Sequence, residues 1–304
     1  MTLAVLCPGQ GAQHSRMLDL ASSDASAREA LDEAAAALGV DPRTWTESDA
    51  MFVNANAQPL ICVAQNAQWR GLRDRLPCPL AIAGYSVGEL SCYGLAGAVG
   101  IAALVRLARQ RAAAMDTATA EHAGGLVAVR GLVRRTIEAI CVEVGAHVAI
   151  AAADDAFVVG AGEPELAEFA LRCERLGVQA RALRVGVAAH TPLLAAAVAT
   201  FRTELDASTL RAPAIPVVAG IDAAWVRTRE RAIATLAPQV AQTIEWAQCL
   251  DALHERGCRV FLELGPGQAL SRMVHERFDD AGARSVDEFR SLAAIAAWVE
   301  RECG

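Results

Sequence analysis

Residues 80–89 read LAIAGYSVGE, and this stretch decides the fold. Leu80 to Gly84 is a short apolar run with the length and flanks of a buried strand. Gly84-Tyr85-Ser86-Val87-Gly88 follows it, and a helical pattern covers Val87–Ala96. A Gly-x-Ser-x-Gly turn between a buried strand and a helix predicts a nucleophile elbow. Its glycines let the chain reverse tightly and let a second molecule approach. Ser86 then stands above the sheet at the positive end of the following helix.

Outward from this unit the same rhythm repeats. Leu3–Cys7 is an apolar strand ending in Pro8-Gly9-Gln10-Gly11-Ala12-Gln13, and helices are expected at Ser26–Leu38, Pro59–Leu76 and Ile101–Thr117. Strand, turn and helix in this order predict an α/β fold with a mostly parallel, α/β-hydrolase-like sheet. The middle of the chain differs. Strands at Leu126–Arg130, His147–Ala152, Ala156–Gly160 and Gln179–Val185, with helices at Val133–Val144 and Glu163–Leu176, spell β-α-β-β-α-β. That is the ferredoxin-like pattern. The expected division is a large α/β domain from 1–121 and 188–304, with a small ferredoxin-like subdomain, 122–187, inserted. Later, a helix is expected at Pro192–Asp206, strands at Ile215–Ala219 and Arg259–Leu264, and a helical tail at Val286–Glu300.

Composition excludes several classes. The formal charge is −7, against the clustered cations that phosphate neutralisation requires, so nucleic acid is not an expected partner. No run reaches the roughly 18 uncharged apolar residues of a membrane span. The start, MTLAVLC, lacks the basic segment of an export signal. The nine cysteines form no C-x-x-C pair and read as reduced core thiols. The expected location is the cytoplasm, with no membrane partner.

A serine nucleophile needs a base. The six histidines are His14, His122, His147, His190, His254 and His275. His190 is singled out because it sits where the inserted unit hands back to the large domain, and clefts form at such junctions. The Pro8–Gln13 loop ends a neighbouring strand, so its freed N–H groups, with the amide of Val87, suit a developing oxyanion. It lacks the third glycine of a dinucleotide loop and the G-K-[ST] of a P-loop. On the helix from Ile101, the apolar stripe is Ile101, Leu104, Val105, Ala108 and Met115, and Arg111 lies at its edge. An inward arginine needs an anion, since breaking a buried pair costs about 3–5 kcal/mol. That anion is either a protein carboxylate or a substrate carboxylate held bidentately. No zinc spacing and no H-E-x-x-H is present, so neither a metal nor another cofactor is expected.

Five segments together resemble the malonyl-CoA:acyl carrier protein transacylase family: PGQGAQ (8–13), GYSVGE (84–89), QRAAAM (110–115), VAAHTPLL (187–194) and ELGPG (263–267). Their order and spacing agree along nearly the whole chain. The resemblance implies that Ser86 is acylated, that His190 is its base, and that the amides of Gln10 and Val87 hold the oxyanion. It further implies that Arg111 grips the free carboxylate of a malonyl group, with Gln10 and Tyr85 also at the substrate. In that family backbone carbonyls near a Gln-Trp pair orient the histidine, and here the pair reads Glu245-Trp246. Tyr85 stands where the fatty-acid enzymes usually carry His. With SCYG (91–94), RAAAMD (111–116) and AVRGL (128–132), it is most similar to the epsilon subunits of malonate decarboxylase. Those subunits load malonyl from malonyl-CoA onto a carrier subunit bearing a phosphoribosyl-dephospho-CoA group. The alternatives are a transacylase of fatty acid or polyketide synthesis, a serine hydrolase, and a non-catalytic assembly subunit.

Overall fold

The computed structural model describes residues 1–119 and 124–304. The chain opens with β1 (Thr2–Cys7), a short turn of helix α1 (Asp19–Ser22), α2 (Ala25–Leu38) and α3 (Asn54–Leu72). Next come β2 (Ala81–Gly84), α4 (Val87–Leu95) and α5 (Ile101–Thr119). The middle holds β3 (Gly124–Arg130), α6 (Arg134–Val144), β4 (His147–Ala153), β5 (Ala156–Gly162), α7 (Glu163–Arg175) and β6 (Ala180–Ala182). The remainder is α8 (Ala195–Ala207), β7 (Val217–Val218), β8 (Trp225–Val226), α9 (Arg229–Gln239), α10 (Trp246–Glu255), β9 (Cys258–Glu263), α11 (Ala269–Arg277), β10 (Gly282–Ser285) and α12 (Leu292–Cys303).

Two sheets result, and the fold is α/β as expected. The first has the order β10-β9-β1-β2-β7-β8. Every neighbouring pair in it is parallel except β7 with β8, an antiparallel edge. Its central strands are buried on both faces, which explains their unbroken apolar runs. The second sheet, β4-β5-β3-β6, is antiparallel and carries α6 and α7, the ferredoxin-like arrangement. The sequence boundary at 121–122, and His122 with it, lies outside the described residues.

Several elements differ from expectation. β6 is shorter than Gln179–Val185, and the tail gains β10, whose GARS carries no apolar alternation. Pairing with β9, not propensity, makes Gly282–Ser285 a strand. The tail helix starts at Leu292, after Ser291 accepts the N–H of Ala294.

The two sheets are stitched by residues 243–245. Ile244 exchanges backbone hydrogen bonds with Ala149 and Ala151 of β4, and the Thr243 hydroxyl donates to the carbonyl of Val148 at 2.7 Å. Arg134 of α6 meets Glu245 with two hydrogen bonds of 2.7 and 2.8 Å. Glu263, at the end of β9, is buried and accepts the N–H groups of Leu270 and Ser271, so the ELGPG segment caps α11. No helix among the described residues is long and apolar enough to cross a membrane.

Candidate functional site

The register of β1 against β2 builds the site. Cys7 lies opposite Gly84, so the loop after β1 emerges beside the elbow after β2. The Tyr85 N–H donates to the Cys7 carbonyl at 2.9 Å. The glycines are there for clearance. A Cβ on Gly88 would collide with the carbonyl of Cys7, and one on Gly84 with the backbone of Gly88 and Glu89. A Cβ on Gly9 would stand 2.8 Å from the Tyr85 carbonyl oxygen. Ser86 itself adopts φ 59°, a region that side chains rarely occupy, directly before α4. The tight contacts on both sides hold it there and leave its hydroxyl partly exposed.

His190 approaches from the segment after β6, also with a positive φ of 63°. Its Nε2 lies 2.7 Å from Ser86 Oγ. Its Nδ1 lies 2.6 Å from the carbonyl oxygen of Gln239. A carbonyl can only accept, so Nδ1 carries the hydrogen and Nε2 presents a lone pair to the serine. Burial lowers the imidazole pKa to about 3, assisted by the charge of Arg111 and opposed by the Gln239 carbonyl. The ring is therefore neutral at physiological pH, and its Nε2 lone pair is placed to accept the Ser86 hydroxyl proton.

The orienting carbonyl corrects one expectation. It comes from Gln239 at the end of α9, not from the Glu245-Trp246 pair. The Glu245 side chain is occupied by Arg134, and its N–H donates to the Gly220 carbonyl.

Arg111 is buried on α5, as its place at the stripe's edge predicted, while Arg106 is exposed. Among the described residues no carboxylate lies within ion-pair distance of it. Nη1 donates to Gln58 Oε1 at 2.8 Å and Nη2 to Gln239 Oε1 at 2.9 Å, and Nε has no partner among the described residues. Burial lowers its pKa to about 10, which leaves it cationic. A buried guanidinium held by two neutral amides retains an unbalanced charge, and so can receive an anion.

Gln10 donates from its side chain to Asn54 Oδ1 at 3.1 Å. Gln65 holds the loop by donating to the Pro8 carbonyl at 2.8 Å. The N–H groups of Gln10 and Val87 find no protein acceptor among the described residues, so both remain available. Tyr85 packs edge-on against Trp246, with ring centroids 5.4 Å apart, and burial pushes its phenol pKa up. The other described histidines are engaged elsewhere or stand apart. His14 pairs with Asp287, His254 with Asp280, and His275 with the Ala283 carbonyl, while His147 lies on β4.

Two cavities border these residues. One of about 540 Å³ is lined by His190, Pro192, His147, Arg134 and Glu245, and one of about 240 Å³ by Gln10, Phe52, Asn54, Asp116 and Val187. No cluster of three or more potential metal ligands occurs among the described residues.

Gln58, Gln239 and Glu89 were not singled out from the sequence. Glu89 was visible only as the last letter of GYSVGE. It is fully buried, its Oε2 accepting from Gln239 Nε2 at 2.6 Å and from the Gly220 N–H at 2.8 Å. Burial raises its pKa to about 7. The two glutamines lie in helices whose polar faces offer no distinguishing pattern.

Over its whole length the chain is similar to known proteins. A malonyl CoA-acyl carrier protein transacylase of Escherichia coli K12 is 29% identical over 301 residues, covering 96% of this chain and 97% of its own. A solved acyl-carrier-protein S-malonyltransferase from Burkholderia pseudomallei superposes with a TM-score of 0.92 at 29% identity, covering 98% of this chain and 100% of that one. A malonyl-transacylase solved in complex with its type II polyketide synthase acyl-carrier protein gives 0.93 at 25% identity, covering 98% and 99%. Residues 5–299 match the acyl transferase domain family, and with nearly the whole length accounted for, this chain belongs to that family.

Proposed function

We propose that this chain moves a malonyl group from malonyl-CoA, through an ester on Ser86, to the thiol of an acyl carrier protein. The observation that carries this reading is Arg111: a buried cation without a carboxylate partner among the described residues, joined through one glutamine to the base paired with Ser86. Such a site selects an acyl group that brings its own negative charge. The names of the relatives above support the same donor and acceptor class.

In this reading the Ser86 hydroxyl attacks the thioester carbonyl as His190 Nε2 takes its proton. The oxyanion rests on the N–H groups of Gln10 and Val87. When the C–S bond breaks, the proton passes from His190 to the departing CoA sulfur. The carrier thiol then gives its proton to His190, its sulfur attacks the ester, and the proton returns to Ser86 Oγ. Arg111 holds the malonyl carboxylate and sets the pose, while Tyr85 and the Gln10 side chain line the approach. The substrate charge also offsets that of Arg111, which raises the basicity of His190 when it is needed.

For the acceptor we favour the carrier subunit of malonate decarboxylase, with its phosphoribosyl-dephospho-CoA group, on the strength of Tyr85, SCYG, RAAAMD and AVRGL. The second reading, a carrier of fatty acid or polyketide synthesis, is supported by the names of the solved relatives. Either acceptor and a CoA donor place the reaction in the cytoplasm. We take the catalytic crevice to lie between a large domain, 1–121 with 188–304, and the inserted unit 122–187.

Intact mass spectrometry tests the proposal in two stages. Mixing with malonyl-CoA should add one malonyl group, absent in Ser86→Ala. Adding each candidate carrier in turn should then discharge it onto the true acceptor. Rapid release of free malonate without any carrier would identify a hydrolase instead. Full activity of a reconstituted complex carrying Ser86→Ala would leave the chain a structural subunit.

A further inference from the structure

Arg111 is held between two amides, and the structure shows what orients each. Gln58 donates from Nε2 to Asn54 Oδ1 at 2.9 Å, and Asn54 donates in turn to Asp116 Oδ1 at 2.7 Å. That settles which end of the Gln58 amide faces Arg111. On the other side Gln239 makes four contacts with three different parts of the site. Its backbone carbonyl accepts from His190, its Oε1 accepts from Arg111, and its Nε2 donates both to Glu89 Oε2 and to the Ser86 carbonyl at 3.2 Å.

Glu89 is the last link of this chain. At 0% exposure it would be expensive to bury without purpose. One of its oxygens, Oε1, has no hydrogen-bond partner among the described residues, so it is not placed to satisfy itself. Its other oxygen accepts from the Gly220 N–H and from Gln239. A direct ion pair between Glu89 and Arg111 would occupy the guanidinium and exclude a substrate anion. The interposed amide avoids that. Its N–H₂ end is drawn to the carboxylate, so its oxygen must face Arg111.

We infer that Glu89 is a positioning residue. Acting through the Gln239 side-chain amide, it holds the Arg111 guanidinium in the orientation that receives a carboxylated acyl group, and so sets preference for acidic over neutral acyl donors. This inference rests on the proposed malonyl transfer. Without the Glu89 acceptor the amide is free to rotate, Arg111 loses a fixed acceptor on that side, and the orientation of the guanidinium relaxes. The backbone carbonyl on His190 Nδ1 stays in place.

The test compares Ser86 acylation by malonyl-CoA and by acetyl-CoA in the full-length protein, reading kcat/KM for each and taking their ratio. Glu89→Met keeps the length and packing of the side chain and removes the acceptor. It should lower the malonyl-to-acetyl ratio at least about tenfold. Glu89→Gln, whose side-chain carbonyl can accept the same two hydrogen bonds, should return the ratio to within about threefold of wild type. Gln239→Met should reproduce the Glu89→Met ratio without passing through residue 89, so it carries the test should Glu89→Met fail to fold. The double variant should fall no further than either single one, since both break the same link. An unchanged ratio in Gln239→Met and in any folded Glu89→Met overturns the inference, as does a Glu89→Gln ratio as low as that of Glu89→Met. Failure of the wild type to take malonyl at all would sink the proposed function, whereas malonyl transfer with an unaffected ratio would sink only the role of Glu89.

Discussion

The Nδ1 of His190 meets the main-chain carbonyl of Gln239 at 2.6 Å. A peptide carbonyl stands where many serine enzymes place a carboxylate. It fixes the tautomer as a carboxylate would, yet it brings no full negative charge to raise the basicity of the ring. Because the contact belongs to the backbone, substitution of the Gln239 side chain should leave the Ser86–His190 pair working. Ser86→Ala and His190→Ala should each lower kcat by about 10⁴-fold or more. Stopped-flow release of CoA measures this, and a loss below about tenfold in either variant would remove that residue from the chemistry.

Arg111→Ala should cost malonyl transfer about 10²-fold or more, the scale of losing one partner of a desolvated charge contact. Acetyl transfer should persist or rise, because a neutral acyl group has no use for the guanidinium. Parallel assays with malonyl-CoA and acetyl-CoA decide it. Equal loss of both would mean that Arg111 supports the fold and nothing more.

The His190 ring should titrate far below the usual histidine range. Its folded pKa of about 3 lies under its ordinary value of 6.5. The folded state therefore binds fewer protons than the unfolded state between those limits. The stability tied to a neutral His190 is present above pH 6.5 and is lost as pH falls toward 3. The slope is about 1.4 kcal/mol per pH unit for one proton. Glu89 and Glu263, both raised from 4.5 to about 7, act in the opposite sense, favouring the fold at low pH and losing that contribution as pH rises through 7. Urea unfolding of wild type and His190→Gln at several pH values isolates the histidine, since both carboxyls are common to the two proteins. The stability difference, wild type minus variant, should grow as pH rises from 4 to 6.5. A constant difference would contradict a buried neutral ring. In Arg111→Gln, NMR should find the His190 pKa higher than in wild type but still below 6.5, because burial is the larger cause.

Glu245 should prove to be a tether. Its carboxylate joins α6 to the segment beside β4 through Arg134, which is 42% exposed. Glu245→Gln should lower stability by about 1 kcal/mol or less, with the difference shrinking at high salt. kcat should stay near wild type. A large fall in kcat with unchanged stability would give Glu245 a part in the reaction.

Gly88→Ala should be among the most damaging single changes. The added Cβ meets the backbone of Cys7, which the parallel pairing of β1 with β2 prevents from shifting. A loss of about 3 kcal/mol or more is expected, seen in urea unfolding or as failure to accumulate in soluble form. Gly97→Ala makes a useful contrast, since a Cβ there meets nothing within 4 Å among the described residues, while its left-handed backbone, φ 68°, opposes the change.

The local chemistry of this protein was written along the chain. Gly84 to Gly88 can only be a tight turn between a buried strand and a helix, and that turn places Ser86 before anything else is known. The β-α-β-β-α-β rhythm and the inward position of Arg111 follow from periodicity, because side-chain period and burial are local properties. Tertiary structure decided the rest. The Gln239 carbonyl on His190 has no side-chain signature, since every residue carries the same group. The link from Glu89 through Gln239 to Arg111 spans three elements that meet only when the sheet is assembled. Gly282–Ser285 is a strand solely because β9 offers an edge for it to pair with. Such choices are made by long-range hydrogen bonding and desolvation, which act between residues distant in sequence and therefore leave no pattern in either partner alone.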